Sequence, residues 1–163
     1  MKKDNLRQGE TRIIIYTDGA ARGNPGPAGW ATILIFGKKV FEIGGANKHA
    51  TNNQMELTGP IEALKYLKKM GISTPIEIFS DSKYVILGIT EWIFNWQKNN
   101  WRNAAKKPVL NKELWEELYK LSRGFKIKWI YVEGHTGNKW NERADEIATS
   151  FADENEIKLK KEK

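Results

Sequence analysis

The stretch RIIIYTDGAARGN, Arg12 to Asn24, drives a run of β-branched and aromatic side chains straight into an acid. Ile13, Ile14, Ile15 and Tyr16 favour a strand, and Asp18-Gly19 is expected to end the apolar run. Asp18 is therefore expected at or just beyond the end of a central strand. Asp-Gly after a strand is by itself ordinary turn chemistry, so Asp18 gains meaning only from its company. Three further acids, Glu56, Asp81 and Asp145, each stand at a strand end or near a helix start.

Working outward, Ala20 to Gly29 holds three glycines and two prolines and reads as a loop, and GWATILIF (Gly29 to Phe36) reads as a second strand. Gly37-Lys38-Lys39 suits a hairpin turn into a short third strand, Val40 to Gly44, closing an antiparallel meander. Asn47 to Gln54 is polar. Leu57, Ile61, Leu64 and Leu67 then recur at helical spacing until Gly71 offers a stop. Glu56 falls near the start of that helix, where a carboxylate gains from the helix dipole with or without a chemical duty. Four residues on, the ring of Pro60 would clash with the Glu56 carbonyl in a running helix, so a kink or irregular first turn is expected directly behind Glu56.

Ile76 to Phe79 is a short strand delivering Ser80-Asp81-Ser82, followed by a helical pattern through Tyr84, Val85 and Leu87 that ends at Gly88. Asp81 reads equally as a helix cap. Thr90 can cap the next segment, which carries Trp92, Ile93 and Trp96. Lys112 to Leu121 is amphipathic, with Leu114, Trp115, Leu118 and Leu121 on one face and Asn111 as its expected cap. KIKWIYV (Lys126 to Val132) is the last strand. It runs through the loop Glu133-Gly134-His135-Thr136-Gly137 into a helix from about Asn141, whose inward face is Ala144, Ile147, Ala148 and Phe151. Asp145 lies beside that stripe, and a solvated role among Glu142, Arg143 and Glu146 suits its spacing as well.

The 163 residues fit one domain, and with no cysteine any metal must be held by oxygen or by His49 and His135. Lys and Arg number 27 against 20 acids, a net charge of +7 that favours a polyanionic partner. The charge is uneven: no acid lies between Glu91 and Glu113, an interval holding Lys98, Arg102, Lys106, Lys107 and Lys112. No stretch has the apolar core of a signal peptide or the length of a membrane span, so no membrane association and a cytoplasmic location are expected. Residues 1–11 read as a polar extension, 12–152 as the domain, and 153–163 as a charged tail. In that tail four lysines are cancelled by four acids, and a frayed or disordered end is expected.

Taken together, these segments resemble a type 1 ribonuclease H of the bacterial single-domain form, over about Arg12 to Ala152. The resemblance is carried by Tyr16-Thr-Asp-Gly with Gly23-Asn-Pro-Gly-Pro-Ala-Gly, by Thr51-Asn-Asn-Gln-Met-Glu-Leu, and by Ser80-Asp-Ser with Gly88-Ile-Thr-Glu-Trp. Asn95-Trp through Lys107-Pro and Gly134-His-Thr-Gly with Asn141-Glu-Arg-Ala-Asp-Glu complete it. Each motif is short; the set is specific.

The resemblance implies an α/β, ribonuclease H-like fold: a mixed five-stranded sheet, order 3-2-1-4-5, flanked by helices. It implies an endonuclease that cuts the RNA strand of RNA-DNA hybrids, leaving 5′-phosphate and 3′-hydroxyl ends, and that works as a monomer. It gathers Asp18, Glu56, Asp81 and Asp145 round two Mg2+ ions, with Mn2+ as an alternative. Hard oxygen ligands suit both, and clustered carboxylates without metal repel one another. His135 matches a loop histidine that assists proton movement as product leaves, and Asn141 a neighbour of that histidine and the last acid. Asn24, Asn52 and Asn53 match residues in the hybrid's minor groove, where 2′-hydroxyls can be read. Thr51 and Asn111 match positions holding a DNA-strand phosphate, and Tyr84, Trp92 and Trp96 match the channel along that strand, although core packing would also account for the tryptophans. Lys98, Arg102, Lys106 and Lys107 are expected to support binding. His49 stands where several relatives have arginine.

Overall fold

The computed structural model describes residues 12–161; the polar extension 1–11 and residues 162–163 lie outside the described residues. Five strands, β1 (Ile13–Ala21), β2 (Gly26–Phe36), β3 (Lys39–Ala50), β4 (Ile76–Ser80) and β5 (Ile127–Tyr131), form one sheet in the order β3-β2-β1-β4-β5. The β1–β2 and β2–β3 pairs are antiparallel, and the β1–β4 and β4–β5 pairs parallel. Parallel neighbours need crossovers, and here helices supply them. α1 (Asn52–Lys69) links β3 to β4. α2 (Lys83–Leu87), a π-helical turn (Gly88–Trp92), α3 (Ile93–Lys98) and α4 (Lys112–Ser122) link β4 to β5, and α5 (Lys139–Ala152) follows. This is the mixed sheet that the resemblance implies.

Alternation along the strands sorts the side chains between two cores. Ile13, Ile15, Leu34, Ile76 and Ile78 pack with Leu57, Ile61, Leu64 and Leu67 of α1 and with Trp115 and Leu118 of α4. On the other face Tyr16, Ala31 and Ile33 meet Ala144, Ile147 and Ala148 of α5. Each fully buried Ile or Leu is worth roughly 1.5–3 kcal/mol, so the sheet is pinned from both sides. Side chains carried on these central strands inherit that rigidity.

Several local expectations are corrected. β1 does not stop at Asp18-Gly19, because residues Asp18 to Ala21 go on pairing with Ala31 to Ala28 of β2. The expected loop Ala20 to Gly29 therefore shrinks to a turn closed by the Arg22 N–H donating to the Pro27 carbonyl at 2.7 Å. β3 is twelve residues long, not short, since its pairing with β2 carries it through the glycines and polar residues up to Ala50. α1 runs unbroken through Pro60 with no interruption behind Glu56. Leu57, Gly59, Pro60 and Ile61 are all buried, and the Thr32 hydroxyl donates to the Gly59 carbonyl at 2.9 Å. Packing against the sheet outweighs the one helical bond that proline removes.

Gly88 is not a helix stop either: it keeps a right-handed helical conformation and leads into the π-helical turn. A β-carbon there would lie 2.0 Å from the Trp115 ring, so the glycine permits close approach of helices. Thr90 caps nothing; its hydroxyl donates back to the Ile86 carbonyl at 2.6 Å. α5 starts at Lys139, with Asn138 as its cap. The tail up to Lys161 is not frayed. Ile157 and Leu159 pack on the α5 core, the Glu42 N–H donates to the Lys160 carbonyl at 2.7 Å, and the Lys160 N–H donates to Glu42 Oε1 at 2.8 Å. The balance of charges in the tail hides these two apolar residues, which hold it down. Among the described residues no helix is long and apolar enough to cross a membrane.

Candidate active site

The parallel register of β1 and β4 ends at Thr17 opposite Ser80. The residue after each is an acid, so Asp18, still paired with β2, and Asp81, just past the end of β4, stand side by side where the ladder between the two central strands stops. Glu56 arrives from α1. A β-carbon on Gly19 would lie 2.5 Å from the backbone of Met55 and Glu56, so only glycine after Asp18 lets the first turn of α1 press against β1. Ligand atoms of Asp18, Glu56 and Asp81 consequently lie within 4.8 Å of one another. Ser82, not Asp81, caps α2, its hydroxyl accepting from the Val85 N–H at 3.1 Å, which leaves the Asp81 carboxylate to the cluster.

Asp18 is only 3% exposed, and burial, together with the charges of Asp81 and Asp145, pushes its carboxyl up to about 8. Glu56 is held well above the usual carboxylate range, first by burial and then by Asp18 and Asp81. Such a cluster disfavours its own charge. Glu56 Oε1 is buried with no hydrogen-bond partner. An all-oxygen donor set with an unpartnered carboxylate oxygen fits a hard divalent cation, which would relieve the repulsion and give that oxygen a partner.

Asp145, half-buried on α5, lies outside that tight group but near enough to raise the pKa of both Asp18 and Glu56. Asn141, one turn before it and 2% exposed, donates its Nδ2 to Asp81 Oδ2 at 3.3 Å. His135 is exposed, with a φ of 60°, in the loop between β5 and α5. Its neighbour Gly134 lies against Asp81, where a β-carbon would come within 2.8 Å of Oδ2. The loop thus sits at the rim of the cluster.

Beside the acids, the β1–β2 turn and the start of α1 meet: Asn24 Oδ1 accepts from the Asn52 N–H at 2.9 Å, and Asn52 and Asn53 are exposed. Thr51 is the N-cap of α1 in a reciprocal capping box with Gln54. Asn111 occupies the N-cap position of α4 in a left-handed conformation, but its side chain makes no capping bond. Instead it bridges elements, Oδ1 accepting from Gln54 Nε2 at 3.3 Å and Nδ2 donating to the Tyr84 hydroxyl at 3.1 Å. The backbone of His49 is fixed by Asn47 Oδ1, and its ring is exposed.

The aromatic residues divide. Trp96 and Trp101 are half-buried against the larger core, with Trp96 5.3 Å from Trp115, whereas Trp92 stays exposed with its ring 6.1 Å from Tyr84. Lys98, Arg102, Lys106 and Lys107 are all exposed, Lys98 as the last residue of α3 and the other three on the loop that follows, which is tied by the Asn103 N–H to the Lys107 carbonyl at 2.8 Å and by an isolated pairing of Arg102 with Pro108. A cleft lined by Trp92, Asn95, Trp96, Asn99 and Arg102 opens on this segment. A groove of about 630 Å3 lies elsewhere, between the C-terminal halves of α1 and α4, and is lined by none of Asp18, Glu56, Asp81 and Asp145. Gln54, which bonds Asn111, has no site role in the sequence reading, although Thr51-x-x-Gln54 is the spacing of a capping box.

Comparison with known proteins agrees with this geometry. The RNase H family profile matches residues 10–153. The curated ribonuclease H of Bradyrhizobium diazoefficiens is 50% identical over 136 residues, covering 83% of this chain and 86% of that protein. That of Ehrlichia canis is 49% identical over 148 residues, covering 91% and 97%. Among solved structures, LC9-RNase H1, a type 1 RNase H with the type 2 active-site motif, superposes with a TM-score of 0.81 at 25% identity, over 90% of this chain and 74% of that one. LC11-RNase H1, solved in complex with RNA/DNA hybrid, does so at 0.68 and 26%, over 88% and 98%. This chain belongs to the RNase H family.

Proposed function

We propose that the chain is an endonuclease that hydrolyses the RNA strand of RNA-DNA hybrids. Water adds to phosphorus, the bond from phosphorus to the 3′ oxygen breaks, and 5′-phosphate and 3′-hydroxyl ends remain. The observation that carries the reading is the trio Asp18, Glu56 and Asp81 with its unpartnered Glu56 oxygen, set where the ladder between the two central strands stops, in a protein of net charge +7. Negative charge facing a polyanion serves no simple binder. Divalent ions held there, Mg2+ first and Mn2+ second, two per site, would stabilise the attacking and leaving oxygens of an in-line displacement.

The chain's own residues divide the remaining work. Asp18, Glu56 and Asp81 are the ligands, with Asp145 as the fourth acid, and Asn141 holds the Asp81 carboxylate in place. His135, on its exposed loop beside Asp81, moves a proton as product leaves. Asn24, Asn52 and Asn53 present amides to the minor groove, where the 2′-hydroxyl tells RNA from DNA. Thr51 and Asn111 meet a DNA-strand phosphate, and Tyr84, Trp92 and Trp96 line the channel beside it. Lys98, Arg102, Lys106 and Lys107 neutralise phosphates. Residues 12–152 form the catalytic unit, acting as a monomer in the cytoplasm. The hybrid bound to LC11-RNase H1 supports the substrate assignment.

Purified protein with labelled hybrid, double-stranded RNA and double-stranded DNA, each with Mg2+ or with chelator, tests this reading. Cleavage confined to the RNA strand of the hybrid and abolished by chelator is expected. Hybrid left intact in Mg2+ and in Mn2+ would overturn it.

A further inference from the structure

Tyr84 stands where α1, α2 and α4 meet, and its hydroxyl oxygen accepts twice: from Asn111 Nδ2 at 3.1 Å and from the Trp115 indole Nε1 at 3.0 Å. Trp115 is fully buried, so its N–H requires that acceptor. With both lone pairs of the oxygen engaged, the hydroxyl proton points away from both partners, and among the described residues nothing accepts it.

The direction of this relay is imposed from α1. The Thr51 backbone N–H can only donate, so the Gln54 atom that meets it at 2.9 Å is the carbonyl oxygen. The other end of the Gln54 amide is then a donor, the Asn111 atom facing it at 3.3 Å is an oxygen, and Asn111 turns its NH2 to Tyr84. One capping interaction thereby orients two amides and a phenol across three helices. We propose that Gln54 is a positioning residue for nucleic-acid binding: acting through Asn111, it makes Tyr84 an outward hydrogen-bond donor to a phosphate oxygen of the bound strand. The inference rests on the hybrid as substrate. Phosphate oxygens are the commonest acceptors on such a ligand, and the Tyr84 ring lies 6.1 Å from the exposed Trp92 at the foot of the basic segment.

Gln54→Glu tests the direction without changing size. The substituted carboxylate still accepts from Thr51 but can no longer donate. Asn111 would therefore turn its NH2 to that carboxylate and its oxygen to Tyr84, which would then spend its proton inside the protein. Binding is read by fluorescence anisotropy in chelator, with hybrids carrying one methylphosphonate linkage walked along the DNA strand. Wild type should lose affinity roughly tenfold at one linkage, the worth of a hydrogen bond to a charged acceptor. Tyr84→Phe should lose that local penalty. Because Gln54→Glu also adds a negative charge, the deciding measurement is the double variant: Tyr84→Phe should weaken binding of unmodified hybrid in the wild-type background and cost less than twofold more in the Gln54→Glu background.

Equal costs of Tyr84→Phe in the two backgrounds would overturn the relay, as would the absence of any linkage whose penalty Tyr84→Phe removes. Thermal melts of each variant, with affinities compared only below its transition, separate binding from the loss of an acceptor for Trp115. Failure of the underlying reading is a different result, namely wild type that neither binds nor cuts unmodified hybrid.

Discussion

Asp18 concentrates the electrostatic conflict of the site in one side chain. It is nearly buried, carried on a strand, and faced by two other carboxylates, so it is costly to keep charged unless a cation is near. Asp18→Asn preserves volume and removes a charged carboxylate; turnover should fall about 10²–10³-fold, the order seen when one charge-stabilising group is deleted from a preorganised site, with hybrid affinity largely retained. Single-turnover cleavage alongside anisotropy measures both. A second consequence is visible without substrate. The Asp18 pKa is raised from 3.8 to about 8, so between those values the folded protein binds more protons than the unfolded chain, and stability must fall as pH rises across that window. In chelator the melting temperature should therefore decline from about pH 5 to pH 8 more steeply than in Asp18→Asn, and Mg2+ should flatten the wild-type curve. A wild-type slope unchanged by Asp18→Asn and by Mg2+ would remove Asp18 as its source. Asp18 stands out in the sequence because an acid closes an apolar run. Its distance from Glu56 is not legible there, since that depends on Gly19 meeting the backbone of Met55 and Glu56 across the fold.

Among the elements, the span from α3 to α4 joins a long irregular stretch to a run of basic residues with no intervening acid. The aromatic rings and cations there have separate duties. Trp96 and Trp101 anchor the loop to the core, while Lys98, Arg102, Lys106 and Lys107 project into solvent. Replacing those four by Ala should weaken hybrid binding at moderate salt and flatten the plot of log affinity against log salt by roughly 0.7 to 0.9 for each phosphate no longer neutralised. The fold should survive, because none of the four packs in the core. An unaltered slope would place the source of affinity elsewhere. Helix and strand identities follow from local spacing, and their limits do not. β3 extends to Ala50 because β2 lies alongside it, α1 ignores Pro60 because Leu57 and Ile61 are buried on the sheet, and a glycine stands inside the helical run at position 88 because Trp115 occupies the space a side chain would need. In each case a partner distant in sequence decides, and a single chain read locally does not display it.

For the molecule as a whole, α5 is braced to the sheet by one ion pair: Arg143 Nε and Nη2 donate to Glu42 Oε2 and Oε1 at 2.7 and 2.9 Å. The Glu42 carboxylate is only 1% exposed. Burial alone would raise its pKa, but the bonds from Arg143 and the Lys160 N–H outweigh burial and hold it below the ordinary value. Its stabilising contribution is therefore present above the unfolded pKa of about 4.5 and is lost as pH falls through the folded value. Arg143→Ala should cost roughly 3 kcal/mol at neutral pH, because it strands a buried charge, and less in acid. Chemical denaturation at pH 7 and pH 4 measures the difference; equal costs at the two pH values would show that charge is not the cause. The same Glu42 holds the tail, which the composition of 153–163 does not suggest, since Ile157 and Leu159 act through packing on α5 and not through local pattern. That packing also decides how copies of the protein treat one another. β3 is the outermost strand on its side of the sheet, and the backbone groups it turns outward are a template for pairing with any other extended chain. By placing its own backbone against Glu42, the tail occupies part of that template within the molecule and leaves less of the edge open to another strand.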